Sequence, residues 1–429
     1  MKKINLILAS LALVCFTCSS DDNGNSIPVN QPPTAVVLIS PTNNGIDKNV
    51  SFTYNVPDGD PDGDAIVYDI YLDNGTEELK IAENHNEETF VYDEVLGLNR
   101  NYTWHVVAKD GNGGETESET FSFKTRKATY LHGVMPGYFP RRSHTTVLFE
   151  NNLVIMSGQG ADGLEDLVRQ SQNGLSWSAA PSELPERIEG ASVVFNSKIY
   201  TVGGGSNLFL PSPLNDVYEL SNLTGAWVEV PVTESFTPRS GHSLVVFNNA
   251  MHIIGGKTGV NDFLGEALTS TDGANWTMSN ANAQFGERGN HTSVVFNDKI
   301  WMIGGRSNSG FNNDVWSTTN GVDWVLETEN AAFSPRSRHS SVVYDNKIWV
   351  YGGFNGDTDA YFGDLWYSED GINWHEAGFE AGDDPLPDNL RDAALAIKNV
   401  GGNEYMYVIG GVEDVSGVNN HINYVLRID

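Results

Sequence analysis

Arg336 to Gly353 reads RSRHSSVVYDNKIWVYGG, and five other stretches repeat its grammar: RRSHTTVLFENNLVIMSG from Arg141, RIEGASVVFNSKIYTVGG from Arg187, RSGHSLVVFNNAMHIIGG from Arg239, RGNHTSVVFNDKIWMIGG from Arg288 and RDAALAIKNVGGNEYMYVIGG from Arg391. In five of the six, the leading arginine stands 16 residues before the first residue of the Gly-Gly pair, with Ser157-Gly158 replacing the pair in the first copy; the sixth spacing is 19. The arginines recur every 46, 52, 49, 48 and 55 residues. A period of that length marks stacked supersecondary units, none of which buries its apolar face alone.

Each unit reads as four strands. An apolar strand such as Ser341–Tyr344 turns at Asn or Asp, a second such as Ile348–Tyr351 stops at Gly-Gly, and after a loop that differs in every copy a third opens on an acid: Asp166, Asp216, Glu266, Asp314 or Asp364. The third turns at Asn173-Gly174, Asp272-Gly273, Asn320-Gly321 or Asp370-Gly371, dipeptides suited to a type I′ hairpin, and a fourth starts at Trp177, Trp227, Trp276, Trp324 or Trp374. This order of Gly-Gly, acid and tryptophan resembles the kelch repeat over residues 127–429. The resemblance implies an all-β, six-bladed propeller with tryptophans between the blades. The chain ends on a third strand with no tryptophan strand after it, so Ala128–Leu131 is expected to complete the last blade.

The rest of the 429 residues leaves room for a further domain, and a net charge of −31 argues against nucleic acid as a partner. Lys2 and Lys3 precede an apolar run, Ile4 to Phe16, that is too short to span a bilayer and reads as a signal peptide over residues 1–17. Both cysteines, Cys15 and Cys18, lie there, so the folded part has no disulfide, thiolate metal site or cysteine nucleophile. Phe16-Thr17-Cys18-Ser19 resembles the processing site of a bacterial lipoprotein, and the following Ser-Ser-Asp-Asp-Asn resembles the export tag of surface lipoproteins of the Bacteroides group. That resemblance implies lipidation at Cys18, a flexible tether over 18–33 and an outer-membrane, cell-surface location. A plain signal peptide cut nearby is the alternative.

Residues 34–126 hold seven short alternating strands, the pattern of a sandwich. Leu98, Tyr102, Trp104, Val106 and Ala108 resemble strand F of a fibronectin type III domain, which implies a spacer. Asp58, Asp60, Asp62 and Asp64 match the first half of a calcium loop, but no Glu follows at the twelfth position, so an Asp-rich turn competes with a calcium site.

Function is expected on the propeller, where loops that differ between copies sit on a repeated scaffold. Kelch domains that bind ligands take arginines from the loop before the first strand, so the resemblance implies a basic collar of Arg141, Arg187, Arg239, Arg288, Arg336 and Arg391 suited to a carboxylate or sulfate. Guanidinium-to-carbonyl bonds between blades are the structural alternative. Lys257 and Arg306 begin two of the four variable loops that start at Gly205, Lys257, Arg306 and Phe354, which together carry Phe209, Phe263, Phe311, Phe354, Tyr361 and Phe362 among Asn, Ser and Asp, a mixture suited to sugar rings. His144, His242, His291 and His339 each follow an arginine by three residues, a place that points to packing and not to a metal ring. The expected function is binding of an extracellular ligand, an acidic glycan or a protein, with no cofactor. The rival is an epimerase or mutarotase of an acidic sugar, using an acid–base pair drawn from Glu165, Glu266, Asp357, Asp359 or Glu413.

Overall fold

In the computed structural model the repeat becomes a four-stranded antiparallel sheet, and six such sheets are present. The structure describes residues 29–42, 45–47, 51–92, 96, 101–125, 128–131, 140–161, 163–181, 183–206, 212–377, 389–415, 418–421 and 425–428. The leader, Cys18, Leu98 and Phe209 lie outside them.

The second strand of each blade is apolar without alternation. Ile199–Val202, Ile300–Ile303 and Ile348–Tyr351 are buried on both faces, because each blade is covered by a neighbour on either side. Six apolar clusters fill the six interfaces. Trp276 joins Tyr200 and Val202 of the blade before it to Met251 and Ile253 of its own, and Trp324 and Trp374 repeat the arrangement one and two blades on. Burial of each such ring contributes about 1.5–3 kcal/mol, so the core of this body lies between the sheets.

The two-residue turns with positive φ at both positions join the first and second strands of the first five blades, at Glu150-Asn151, Asn196-Ser197, Asn248-Asn249, Asn297-Asp298 and Asp345-Asn346. This is the type I′ signature, which the sequence places instead at the Asx-Gly dipeptides. There, Asp272 uses Oδ1 to accept the N–H groups of Ala274 and Asn275 (2.9 and 2.8 Å), and only Gly273 has positive φ. Its glycine serves close approach: a Cβ at Gly273 would stand 2.9 Å from the Tyr200 ring, and one at Gly321 would stand 2.7 Å from the His252 ring, both in the preceding blade.

The first strands neighbour one another round a ring, and Ala394–Val400 of the last blade returns to Thr145–Phe149 of the first. Ala128–Leu131 pairs with Val425–Ile428 as the outermost strand of the last blade, as the spacing leads one to expect.

The N-terminal unit has a three-stranded sheet of Val37–Ser40, Ser51–Asn55 and Thr89–Val91, and a second sheet with Val67–Asp73, Glu78–His85 and Asn101–Lys109. Tyr102, Trp104, Val106 and Ala108 alternate inward and are all buried. The calcium reading fails here. Asp60 Oδ1 accepts the N–H groups of Asp62 and Asp64 (2.9 and 3.1 Å), Asp62 takes the Gln31 N–H and Asp64 bonds Asn112 at 2.8 Å. Asp60 caps the turn while Asp62 and Asp64 bind other segments, and among the described residues no group of three or more His, Cys, Asp or Glu could hold a metal.

Pairing of Ala128–Leu131 with the C-terminal strand sets a test. A chain beginning at Pro140 leaves Val425–Ile428 with an open edge and should melt several degrees below, or aggregate before, one beginning at Lys124. Equal melting temperatures would refute this closure.

Candidate functional site

Arg141, Arg187, Arg239, Arg288 and Arg336 are buried. Each donates from Nη1 to the carbonyl 16 residues on, that of Ser157, Gly203, Gly255, Gly304 or Gly352, at 2.9–3.1 Å. Four also grip the acid that opens the third strand of their own blade: Asp216 (2.8 and 3.1 Å), Glu266, Asp314 (2.6 and 2.9 Å) and Asp364 (2.6 and 2.7 Å). In the first blade Arg141 stands 3.7 Å from Glu165. The main chain of the same arginines works in the other direction. Their carbonyls accept the N–H of the second glycine of the preceding blade: Gly158 to Arg187 at 2.8 Å, then Gly204 to Arg239, Gly256 to Arg288, Gly305 to Arg336 and Gly411 to Arg141, all at 2.9 Å. A side chain at the first glycine would collide there, since a Cβ on Gly203 would lie 2.9 Å from the Arg239 carbonyl.

The expected basic collar is therefore absent at these five positions. Their charge is neutralised inside the blade by the acid, and the guanidinium-to-carbonyl bonds run within blades while the backbone bonds run between them. The sixth arginine differs. In the last blade the Leu390 carbonyl faces Gly352, so Leu390 holds the clamp position and Arg391 stands one residue further on.

Two residues past the clamp lie Ser143, Glu189, Gly241, Asn290, Arg338 and Asp392, with φ between +51° and +60°. Each N–H donates to the counterpart carbonyl of the preceding blade: Ser143 to Asp392 at 3.0 Å, Glu189 to Ser143 at 3.1 Å, Gly241 to Glu189 at 2.8 Å, Asn290 to Gly241 at 2.7 Å, Arg338 to Asn290 at 2.9 Å and Asp392 to Arg338 at 2.9 Å. The bonds close into a ring around the central channel.

A cavity of about 380 Å³ opens at this ring. It brings together the predicted Lys257, Arg306, Arg391, Phe263, Phe311 and Phe354 with Arg142, Glu189, Asn290 and Arg338, which the sequence reading missed. Five cations, Arg142, Lys257, Arg306, Arg338 and Arg391, thus face two carboxylates, Glu189 and Asp392. Arg338 lies 2.8 Å from Glu189 and 3.2 Å from Asp392; Lys257 lies 2.8 Å from Glu189, and Arg391 2.9 Å from Asp392. Among the described ion pairs Arg142 and Arg306 have no carboxylate. Arg142 bonds the Gln159 amide oxygen (3.0 and 2.8 Å), and Arg306 bonds Asn261 Oδ1 (3.1 Å) and stands 5.6 Å from the Phe311 ring centre. Burial weakens the hold of Arg142 on its proton; Asp392 and, less, Glu189 oppose this, while Arg391 and Arg338 add to it, and the net shift is downward. Burial raises the Asp392 carboxyl, but Arg338, Arg391 and Arg142 outweigh it and bring it down to about 2. Burial likewise opposes, and Arg338 and Lys257 outweigh, in holding Glu189 below the usual carboxylate range.

Phe311 meets Phe354 edge to face at 6.0 Å, and Tyr361 backs Phe354 at 4.7 Å. Phe362 lies 4.2 Å from the Arg336 guanidinium, so it covers a clamp and does not line the cavity. His144, His242, His291 and His339 face the channel below the ring. Burial, then the neighbouring arginine, lowers all four to about 3, and each lies against a carbonyl of the preceding blade, that of Ile409, Val202, Ile254 or Ile303. They pack blades together as neutral rings.

Of the carboxylates considered for acid–base work, Glu266 is paired with Arg239 and Glu165 lies beside Arg141. Asp357 and Asp359 belong to the turn after Lys347–Asn355, and the Glu413 side chain lies outside the described residues.

Two outcomes follow from these charges. Arg288→Ala strands Asp314 and should cost about 3 kcal/mol, the lower end for breaking a buried pair because Asp314 keeps some solvent; a melting temperature within one degree of wild type, by calorimetry, would refute the clamp. Asp392 has a folded pKa of about 2 against an ordinary value of 3.8, so its stabilisation is present above pH 4 and is lost as pH falls toward 2. The stability gap between wild type and Asp392→Asn should accordingly shrink across that window in denaturant titrations, and a constant gap would contradict the assignment.

Comparison with known families agrees with this architecture. A model described as the KLHDC2/KLHL20/DRC7 Kelch-repeats domain matches residues 109–256 and 271–429, and one described as the DUF6242 beta propeller domain matches residues 212–324. No curated protein matches the chain. With six four-stranded blades built on the repeated arginine and glycine pair, and with that match over most of its length, the chain belongs to the KLHDC2/KLHL20/DRC7 Kelch-repeats domain family.

Proposed function

We propose that this propeller is a binding module that receives an acidic group of its ligand in the mouth of the central channel. Kelch propellers generally mediate protein–protein interactions, so a protein partner presenting Asp or Glu is the first reading. The observation that carries it is the excess of cations in the mouth of a chain whose net charge is −31. Arg142 is buried beside Arg391 and Arg338 with only an amide as hydrogen-bond acceptor, and Asp392 and Glu189 offset part of that cost, so a further anion among them is favourable. An acidic glycan is the second reading, favoured by the Phe311, Phe354 and Tyr361 cluster beside Arg306 and Arg391. Turnover of an acidic sugar is the weaker reading. Glu189 and Asp392 are both held ionised by cations, which leaves no proton donor between them and makes either a feeble base.

The propeller is further proposed to work at the cell surface, anchored through a lipid on Cys18, with the N-terminal sandwich, read as fibronectin-like, as a spacer. Cys18→Ser should then move the protein from the membrane pellet to the soluble fraction, and retention in the pellet would sink the anchor.

Binding is tested with arrays of acidic and neutral peptides and glycans. Arg142→Gln and Arg306→Gln should each weaken retention of the acidic members by about 1.5–3 kcal/mol, the range for charge-assisted hydrogen bonds, with little change in melting temperature. Equal retention of neutral ligands, or indifference to both substitutions, would remove the mouth as the site.

A further inference from the structure

The ring position two residues past the clamp demands positive φ, and its backbone bonds make no use of the side chain. Gly241 and Asn290 suit that conformation, whereas Glu189 and Arg338 hold it against the preference of long L side chains. Strain kept at such a place points to a role for the side chain. The order of the ring bonds puts Glu189 and Arg338 three steps apart among six, on opposite blades, yet their side chains meet at 2.8 Å. They span the channel. Both line the mouth and also the polar cavity of about 250 Å³ beneath it, so the pair forms the partition between the two.

Glu189 occupies a complete carboxylate site. Lys257 lies at 2.8 Å, Arg338 at 2.8 Å, and the Ser240 hydroxyl donates at 3.2 Å. An acidic group of a ligand would seek the same donors. Arg338 has more than a quarter of its side chain exposed while Glu189 is nearly sealed, so an arriving anion meets the cation first.

Resting on the mouth as the seat of an acidic ligand, we propose that Arg338 and Glu189 form a counter-ion latch: Glu189 occupies the ligand's place across the throat, and an arriving acidic group takes Arg338 and Lys257 from it. The latch keeps Arg338 and Lys257 compensated while the mouth is empty. It also sets a threshold, since a weakly charged group gains nothing by replacing a carboxylate already bound by three donors. The ligand selected is one that brings more negative charge than Glu189 supplies, or that engages Arg142 and Arg306 as well.

The test is calorimetric titration of wild type and Glu189→Gln with sulfate and with glucuronate at low ionic strength. The amide keeps the shape of the carboxylate and removes its charge. Under the latch, Glu189→Gln binds both anions at least about tenfold more tightly than wild type, the scale of one nearby charge in a partly buried site. Asp392→Asn, which removes the other competitor for Arg338, should shift affinity in the same direction. Equal or weaker binding by Glu189→Gln, in a protein that still melts cooperatively, overturns the latch and leaves the mouth as an anion site; binding of neither anion by any of the three proteins overturns both.

Discussion

Everything in the propeller depends on one buried guanidinium used twice. Through its side chain an arginine such as Arg336 joins the loop before the first strand to the Gly352 carbonyl and to Asp364, closing its own blade. Through its carbonyl it receives the Gly305 N–H of the blade before. A planar fork with five donors satisfies a carbonyl and a carboxylate at once, which a lysine does not. Five repeats spend an arginine and an acid on this joint, and the joint explains why they recur at a fixed spacing.

What the joint positions is a ring of backbone, and the ring positions the site. Its bonds leave the side chains at that place, and at the next place outward, undetermined by the fold. Ser, Glu, Gly, Asn, Arg and Asp share the ring position; Arg142, Ile188, Ser240, Gly289, Ser337 and Arg391 share the one before it. Arg142, Arg338 and Arg391 at these free places, with Lys257 and Arg306 just past the glycine pairs, concentrate positive charge at one mouth of an acidic molecule. A cleft of one sign in a field of the other focuses its potential, which favours encounter with acidic groups and makes binding sensitive to salt.

The architecture was legible because repetition and periodicity are local properties. Gly-Gly after an apolar run, an acid and then a tryptophan identify four strands, and the missing tryptophan strand in the last copy identifies Ala128–Leu131 as its replacement. The candidate site was legible only in part. Lys257, Arg306, Arg391, Phe263 and Phe311 reached the mouth, but the arginine series drew attention to residues buried for packing. The useful signal lay one and two positions later, in residues that differ between otherwise matching repeats. Arg391 misled by one place, because the insertion in its repeat hides that Leu390 holds the clamp.

By itself the sequence determined the number of blades, the strands within each, the closure and the sign of the overall charge, since these follow from spacing and composition. Only the tertiary structure decided which charges are neutralised and which are offered. Arg288 and Arg338 are indistinguishable in chemistry, and their burial and partners separate them: one is held by Asp314 within its blade, the other reaches Glu189 across the channel. That contact joins residues 149 positions apart in the chain and three blades apart in the ring. Side-chain reach and the closing of the ring create it, and neither is encoded in any local pattern.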